Sequence, residues 1–285
     1  MKIFYKVNAP DGKINDTILL IGRNAESLLF WPKKLVDFFV SKGYKVIRFD
    51  NRGFGLSDWM PKWNKNNAYS LENMSRDAIV VIDCLKIDKF NLVVDSMRGM
   101  IAQRVAIDFP SLVKTMTSIM SSAFYFDRTL VSLSNNINFR FIKIKLAFWK
   151  KPLSIERLLK MRLAINQLWR GSGPYANRID DEINSLIYEI NIRNGFNKDA
   201  LKQHVTAIKK SGSRLDELHK ILCPTLITQG KSDPLIDIKH SLKYEKLIKN
   251  KRNLYLEGMG HDIPDFALSM INNKILNIIN TKTKN

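Results

Sequence analysis

Strands alternating with helices along this 285-residue chain predict an α/β fold on a mostly parallel sheet. Three observations carry that expectation. Short apolar and β-branched runs recur at Thr17 to Ile21, Tyr44 to Phe49, Phe90 to Val94, Val113 to Met120, Thr225 to Thr228 and Asn253 to Leu256. Stretches with apolar residues at helical spacing separate them, such as Met74, Ala78, Val81, Ile82 and Leu85. The alternation then breaks at about Ser122 and stays helical to about Gly212 before resuming.

Each element has a local reason. Lys2 to Val7 alternates like an edge strand, and Asp11-Gly12-Lys13 signals a turn before the run Thr17 to Ile21. Gly22-Arg23-Asn24 follows at once; a glycine there lets the backbone turn and the next N–H face a site. Trp31-Pro32 opens a helix with Leu35, Phe38, Phe39 and Val40 on one side, closed by Ser41-Lys42-Gly43. Tyr44 to Phe49 runs into Asp50-Asn51-Arg52-Gly53-Phe54-Gly55-Leu56-Ser57. The helical stretch holds amphipathic runs at Ile155 to Trp169 and Asp180 to Ile190. After it come a helix near His240 to Ile248 and a last helix from Pro264 to Ile279.

This reading divides the chain into a core of residues 1–121 and 213–285 and a helical cap of residues 122–212. The bland alternative is that the inserted helices are a second packing layer.

Composition narrows the class. A hydrophobic content of 45% and an aromatic content of 10% are globular values. A chain of this length buries roughly 70–75% of its unfolded surface, enough for one sizeable domain with an insertion. The apolar runs are too short to span a bilayer, and Met1 to Val7 lacks a signal-type apolar region. Cys84 and Cys223 are distant and lack a metal-binding spacing, so free thiols, a reducing compartment and a cytoplasmic location are expected. The net charge of +19 comes mostly from lysines scattered over the whole length, densest at Lys143, Lys145, Lys150 and Lys151. A solvated lysine surface fits this better than a specific nucleic-acid site, with weak adhesion to anionic surfaces at low salt.

Three features point to catalysis. Ser96 sits between the strand Phe90 to Val94 and a helix carrying Met100, Ile101, Val105 and Ala106. A serine on so sharp a turn projects its hydroxyl above the sheet, with the Met97 N–H aimed where an oxyanion would form. Asp233, in Gly230-Lys231-Ser232-Asp233-Pro234, lies just past the end of the strand at Thr225 to Thr228. His261, in Gly258-Met259-Gly260-His261-Asp262, follows the next strand in the same way. His204, His219 and His240 all fall in predicted helices, leaving His261 alone on a glycine-flanked loop. Nucleophile, acid and base therefore occur in the chain order suited to this architecture, although Asp237, Asp262 and Asp265 stay open as substitutes for Asp233.

Asp50-Asn51-Arg52-x-x-Gly55-x-Ser57, Ser96-Met97-x-Gly99-Met100-Ile101-Ala102-Gln103 and Gly258-Met259-Gly260-His261-Asp262-Ile263-Pro264 resemble α/β-hydrolases of the aclacinomycin-methylesterase-like group. That resemblance implies an eight-stranded, mostly parallel sheet flanked by helices, a helical cap inserted after strand 6, and no cofactor. It implies Ser96 as nucleophile, His261 as general base and then acid, Asp233 as the carboxylate orienting the imidazole, and the N–H groups of Met97 and Arg23 as the oxyanion hole. Serine at position 96 argues against the carboxylate-nucleophile chemistry of haloalkane dehalogenases and epoxide hydrolases. The expected reaction is hydrolysis of a small to medium carboxylic ester through an acyl-serine. Trp149, Trp169, Phe139, Phe141 and Leu153 suggest an apolar pocket in the cap for the substrate, or equally the cap's own core.

The elbow departs from the usual Gly-x-Ser-x-Gly, with Val94 and Arg98 in the glycine positions. Arg98 is expected to snorkel outward over the helix N-terminus, where a cation is unfavourable, and to pair with Asp95. These departures raise an alternative, a non-catalytic or weakly active small-ligand binding protein on the same scaffold. Retention of Ser96, Asp233 and His261 together argues against it, since binding alone requires none of them.

Overall fold

A computed structural model of the protein describes residues 1–21, 27–130, 135–148, 154–174, 179–192, 197 and 199–281. The apolar runs become the strands β1 (Tyr5–Asn8), β2 (Asp16–Ile21), β3 (Tyr44–Phe49), β4 (Phe90–Asp95), β5 (Val113–Ile119), β6 (Thr225–Gly230) and β7 (Lys251–Leu256). They form one sheet in the order β1-β3-β2-β4-β5-β6-β7, antiparallel only where β1 meets β3. Among the described residues the sheet therefore has seven strands rather than eight. The residues between β1 and β2 make no further strand, and the helical insertion follows the fifth strand.

The helices are α1 (Lys33–Ser41), α2 (Leu71–Cys84), α3 (Met97–Asp108), α4 (Asn135–Phe148), α5 (Ile155–Trp169), α6 (Ile179–Ile192), α7 (Ala200–Ser211), α8 (Ile238–Tyr244) and α9 (Asp265–Ile279). Successive strand residues point to opposite faces, so the inner strands supply two cores. Leu19, Ile21, Ile47, Phe49, Leu92 and Val94 pack with α2 and α3, whereas Ile18, Leu20, Val46 and Val93 pack with α1 and α9. Helices α4 to α7 all lie in the insertion between β5 and β6.

From β2 the chain passes to β3 on one side, and β4 lies on the other. The strand order reverses there, which opens a crevice at the carboxyl ends of β2 and β4. Ser96 is the residue immediately after β4.

Candidate active site

Ser96 adopts φ 50° and ψ −132° between β4 and α3. A non-glycine residue held there stores about 1–3 kcal/mol and needs its surroundings to enforce it. The enforcement is visible: the Ser96 N–H donates to the Ile119 carbonyl at 2.8 Å, and the Gly99 N–H donates to the Ser96 carbonyl at 3.0 Å.

The elbow manages without its usual flanking glycines because the tight contact has moved. A β-carbon at Gly99 would collide with the side chains of Ser121 and Ser118, so the close approach of helix to strand falls one place later in the chain. Val94 is a buried member of the core against α3.

Asp95 and Arg98 form the expected ion pair, but the expected position of Arg98 is overturned. Its side chain is fully buried and lies over the Phe30 ring at 5.8 Å, instead of reaching outward. The pairing carboxylate and the aromatic face replace the solvent that a helix-terminal cation would otherwise need.

His261 joins the other two predicted residues. Its Nε2 lies 2.8 Å from Ser96 Oγ and its Nδ1 2.8 Å from Asp233 Oδ2. With Nδ1 carrying the proton donated to Asp233, Nε2 is left to accept the serine O–H. The acid is held from every side. Asp233 Oδ1 accepts the backbone N–H groups of Leu235 and Ile236 at 2.8 and 2.9 Å, and Oδ2 accepts the Gln229 amide at 2.9 Å as well as His261.

Of the substitutes for Asp233, Asp237 instead caps α8 through the Lys239 N–H, and Asp265 pairs with Lys34. The other histidines are engaged elsewhere or exposed. His204 Nε2 bonds the Arg52 carbonyl at 3.0 Å, His240 Nδ1 meets Ser122 Oγ at 2.8 Å, and His219 is exposed on a 3-10 turn. Burial pushes the His204 pKa down to about 4, so that ring is neutral at ordinary pH.

The Asp50 motif works as scaffolding. Asp50 Oδ1 accepts the Leu28 N–H at 2.7 Å and Oδ2 the Leu56 N–H at 3.0 Å, which ties the segment after β2 to the turn after β3. Arg52 is fixed by both carboxylate oxygens of Asp77, at 2.6 and 2.7 Å. Gly22 and Arg23, and with them one expected oxyanion donor, lie outside the described residues. So do Trp149 and Leu153; of the remaining insertion aromatics, Phe141 and Trp169 pack on each other at 6.1 Å and Phe139 is 56% exposed.

Two features were not anticipated. Gln229 is a buried amide at the end of β6 whose Nε2 bridges Asp233 and the Ile236 carbonyl, while its Oε1 accepts from Ser241 at 3.1 Å. A polar residue closing an otherwise apolar strand run was its one sequence signal, since a buried amide must find partners. The second is contact between the insertion and the histidine loop. The His261 N–H donates to the Trp169 carbonyl at 2.7 Å, and the Gly173 N–H to the Gly258 carbonyl at 2.9 Å. Gly171 and Gly260 face each other so closely that a β-carbon on either would strike the other's backbone. That pairing joins residues far apart in sequence and had no local signal. Among the described residues no group of three or more His, Cys, Asp or Glu side chains is arranged to hold a metal ion.

An open α/β sheet with a serine, a histidine and a carboxylate hydrogen-bonded in series at its carboxyl edge defines a class. The alpha/beta hydrolase fold family matches residues 16–268, and the chain belongs to it. Among curated relatives, rhodomycin D methylesterase of Streptomyces peucetius is 25% identical over 258 residues, 87% of this chain and 85% of that protein. A 2-hydroxy-6-oxononadienedioate/2-hydroxy-6-oxononatrienedioate hydrolase of Pseudomonas is 25% identical over 212 residues, 73% of this chain and 67% of its own. Among solved structures, an esterase from Exiguobacterium antarcticum superposes with a TM-score of 0.74 at 17% identity, covering 98% of this chain and 96% of that one. An enol-lactonase from Burkholderia xenovorans gives 0.71 at 18% identity, with 97% and 96% covered. The similarity to a methylesterase agrees with the resemblance drawn from the sequence motifs.

Proposed function

We propose that the protein is a serine hydrolase that cleaves small to medium carboxylic esters with an apolar moiety, through an acyl-serine intermediate. The observation that carries this reading is the unbroken hydrogen-bonded series Ser96–His261–Asp233. Ser96 Oγ attacks the ester carbonyl while His261 Nε2 takes its proton, because a serine hydroxyl is a poor nucleophile until a base removes that proton. Asp233 keeps the proton on Nδ1 and stabilises the imidazolium that forms. The Met97 N–H, at the start of α3, and the Arg23 N–H stabilise the tetrahedral oxyanion, each worth about 3–4 kcal/mol. His261 then protonates the departing alcohol, and water attacks the acyl-enzyme by the same route in reverse. Residues 122–212 form the cap over this site. The relatives named as a methylesterase and an esterase support the same chemistry.

The experiment is turnover of p-nitrophenyl esters, from acetate to decanoate, by the protein and by Ser96→Ala. Turnover lost by about 10⁴-fold or more in the variant is expected, with a chain-length optimum that sizes the acyl pocket. Equal rates for the two proteins, with no labelling of Ser96 by a fluorophosphonate, would overturn the assignment.

A further inference from the structure

Helix α4 carries an apolar stripe that stands exposed among the described residues. Phe139, Ile142 and Leu146 are 56, 53 and 65% exposed, and their spacing sets them on one face of the helix. Cations flank that stripe on both sides. On the helical wheel Arg140 and Lys143 border one edge and Lys145 the other, and all three are exposed. Lys143 Nζ lies 4.6 Å from the centre of the Phe139 ring, and Lys145 Nζ 4.6 Å from that of Phe141. The opposite face is the packed one, with Phe141 against Trp169 and the Arg157 guanidinium over Phe148 at 5.4 Å. No acidic residue occurs from position 128 to 155, a stretch that also holds Arg128, Lys150 and Lys151.

We propose that this face of α4 docks the protein on an anionic lipid surface, with Phe139, Ile142 and Leu146 entering the headgroup–acyl boundary and Arg140, Lys143 and Lys145 reaching the lipid phosphates. An apolar stripe rimmed by long cations is the chemistry of a helix lying in a membrane interface, where lysine stems run along the acyl boundary and their charges stay in water. A nucleic acid would be met by charge first, whereas here the centre of the face is aliphatic and phenyl. A second copy of the chain would bring two such cationic faces together on a protein of net charge +19. The side chains stand on a convex helix surface, which a fluid bilayer accommodates without a preformed groove.

Helix α4 packs on α5, and α5 ends at Trp169, whose carbonyl accepts the His261 N–H. The docking face is therefore one helix away from the histidine loop. The proposal itself does not depend on catalysis.

The test is sedimentation of the intact protein with vesicles of phosphatidylcholine alone and with about one third phosphatidylglycerol. Binding to the mixed vesicles only is expected, weakening as salt rises. The surface variant Ile142→Ser/Leu146→Ser should lower the partition coefficient by about tenfold or more. Lys143→Gln/Lys145→Gln should lower it as well, and both variants should keep the wild-type ester turnover. Equal binding by Ile142→Ser/Leu146→Ser and wild type would assign adhesion to the general charge of the body and overturn the proposal. Failure to bind the mixed vesicles would overturn it too, as would retention on single-stranded RNA that either variant abolishes while vesicle binding is unchanged.

Discussion

The sheet edge and the first two helices of the insertion are held in opposite ways. At the sheet edge every residue of β4 and β6 is buried, and Asp233, Gln229, Asp95 and Arg98 are enclosed with their partners. In the insertion, α4 shows no buried side chain among its described residues, and α5 buries only Leu168. Past α5 the ties are hydrogen bonds, Trp169 to His261 and Gly173 to Gly258, whereas α7 packs Ala207 and Ile208 into the core beside α2, with Asn197 bonded to the Gly53 carbonyl and His204 to the Arg52 carbonyl. Arg214 adds a clasp at the base of the insertion, donating to the carbonyls of Ala123 and Gly212 and to Gln103 of α3. A region anchored by burial tolerates little change anywhere, whereas one anchored by points tolerates change everywhere except at those points.

The largest effect is expected at Arg98. Arg98→Met leaves the Asp95 carboxylate buried without its guanidinium, and a loss of about 3–5 kcal/mol in unfolding free energy by urea titration is expected. Adding Asp95→Asn should restore part of it. A loss below 1 kcal/mol in the single variant would mean that the sheet edge does not depend on the pair.

Gln229 carries the next largest effect, at the Asp233 carboxylate. Gln229→Met removes one of the hydrogen bonds that aim Asp233 at His261, and with it the tie of Asp233 to the Ile236 carbonyl. The expected result is a kcat lowered by roughly tenfold to a hundredfold with KM nearly unchanged. A kcat equal to that of the wild type would show that the Leu235 and Ile236 N–H groups hold the acid by themselves.

The smallest effect belongs to an attachment point. His204 has its pKa depressed from 6.5 to about 4 in the folded protein. The unfolded chain therefore binds the extra proton first as pH falls, and stability is lost from about pH 6.5 down to about pH 4, where the folded form titrates. Between pH 7 and pH 5 this group should cost on the order of 2 kcal/mol. His204→Gln should flatten the measured dependence by that amount, and an unchanged slope would place the acid sensitivity elsewhere.

Much of this arrangement was written in local sequence. The buried strands read as apolar runs because a parallel sheet covered on both faces needs apolar residues on both. His261 stands out because it alone among the histidines falls on a glycine-flanked loop after a strand. Arg98 misled for a physical reason. The cost of a cation at a helix N-terminus assumes a hydrated guanidinium, and burial against Asp95 and Phe30 replaces that hydration. The resemblance implies eight strands with the insertion after the sixth, whereas the described residues form seven with the insertion after the fifth. Gln229 and the contact of Gly171 with Gly260 depend on which distant residues meet, and no window of sequence contains both partners.

That last contact restricts how the insertion can be exchanged. Two stretches of main chain meet with no side chain between them, one from the insertion and one from the loop that carries His261. A cap transplanted from another hydrolase, even one with a better-fitting substrate pocket, would have to arrive with glycine at the position of Gly171. Any larger residue there would push against the loop holding the imidazole. In a library of such chimeras, that single position would separate the active members from the folded but silent ones.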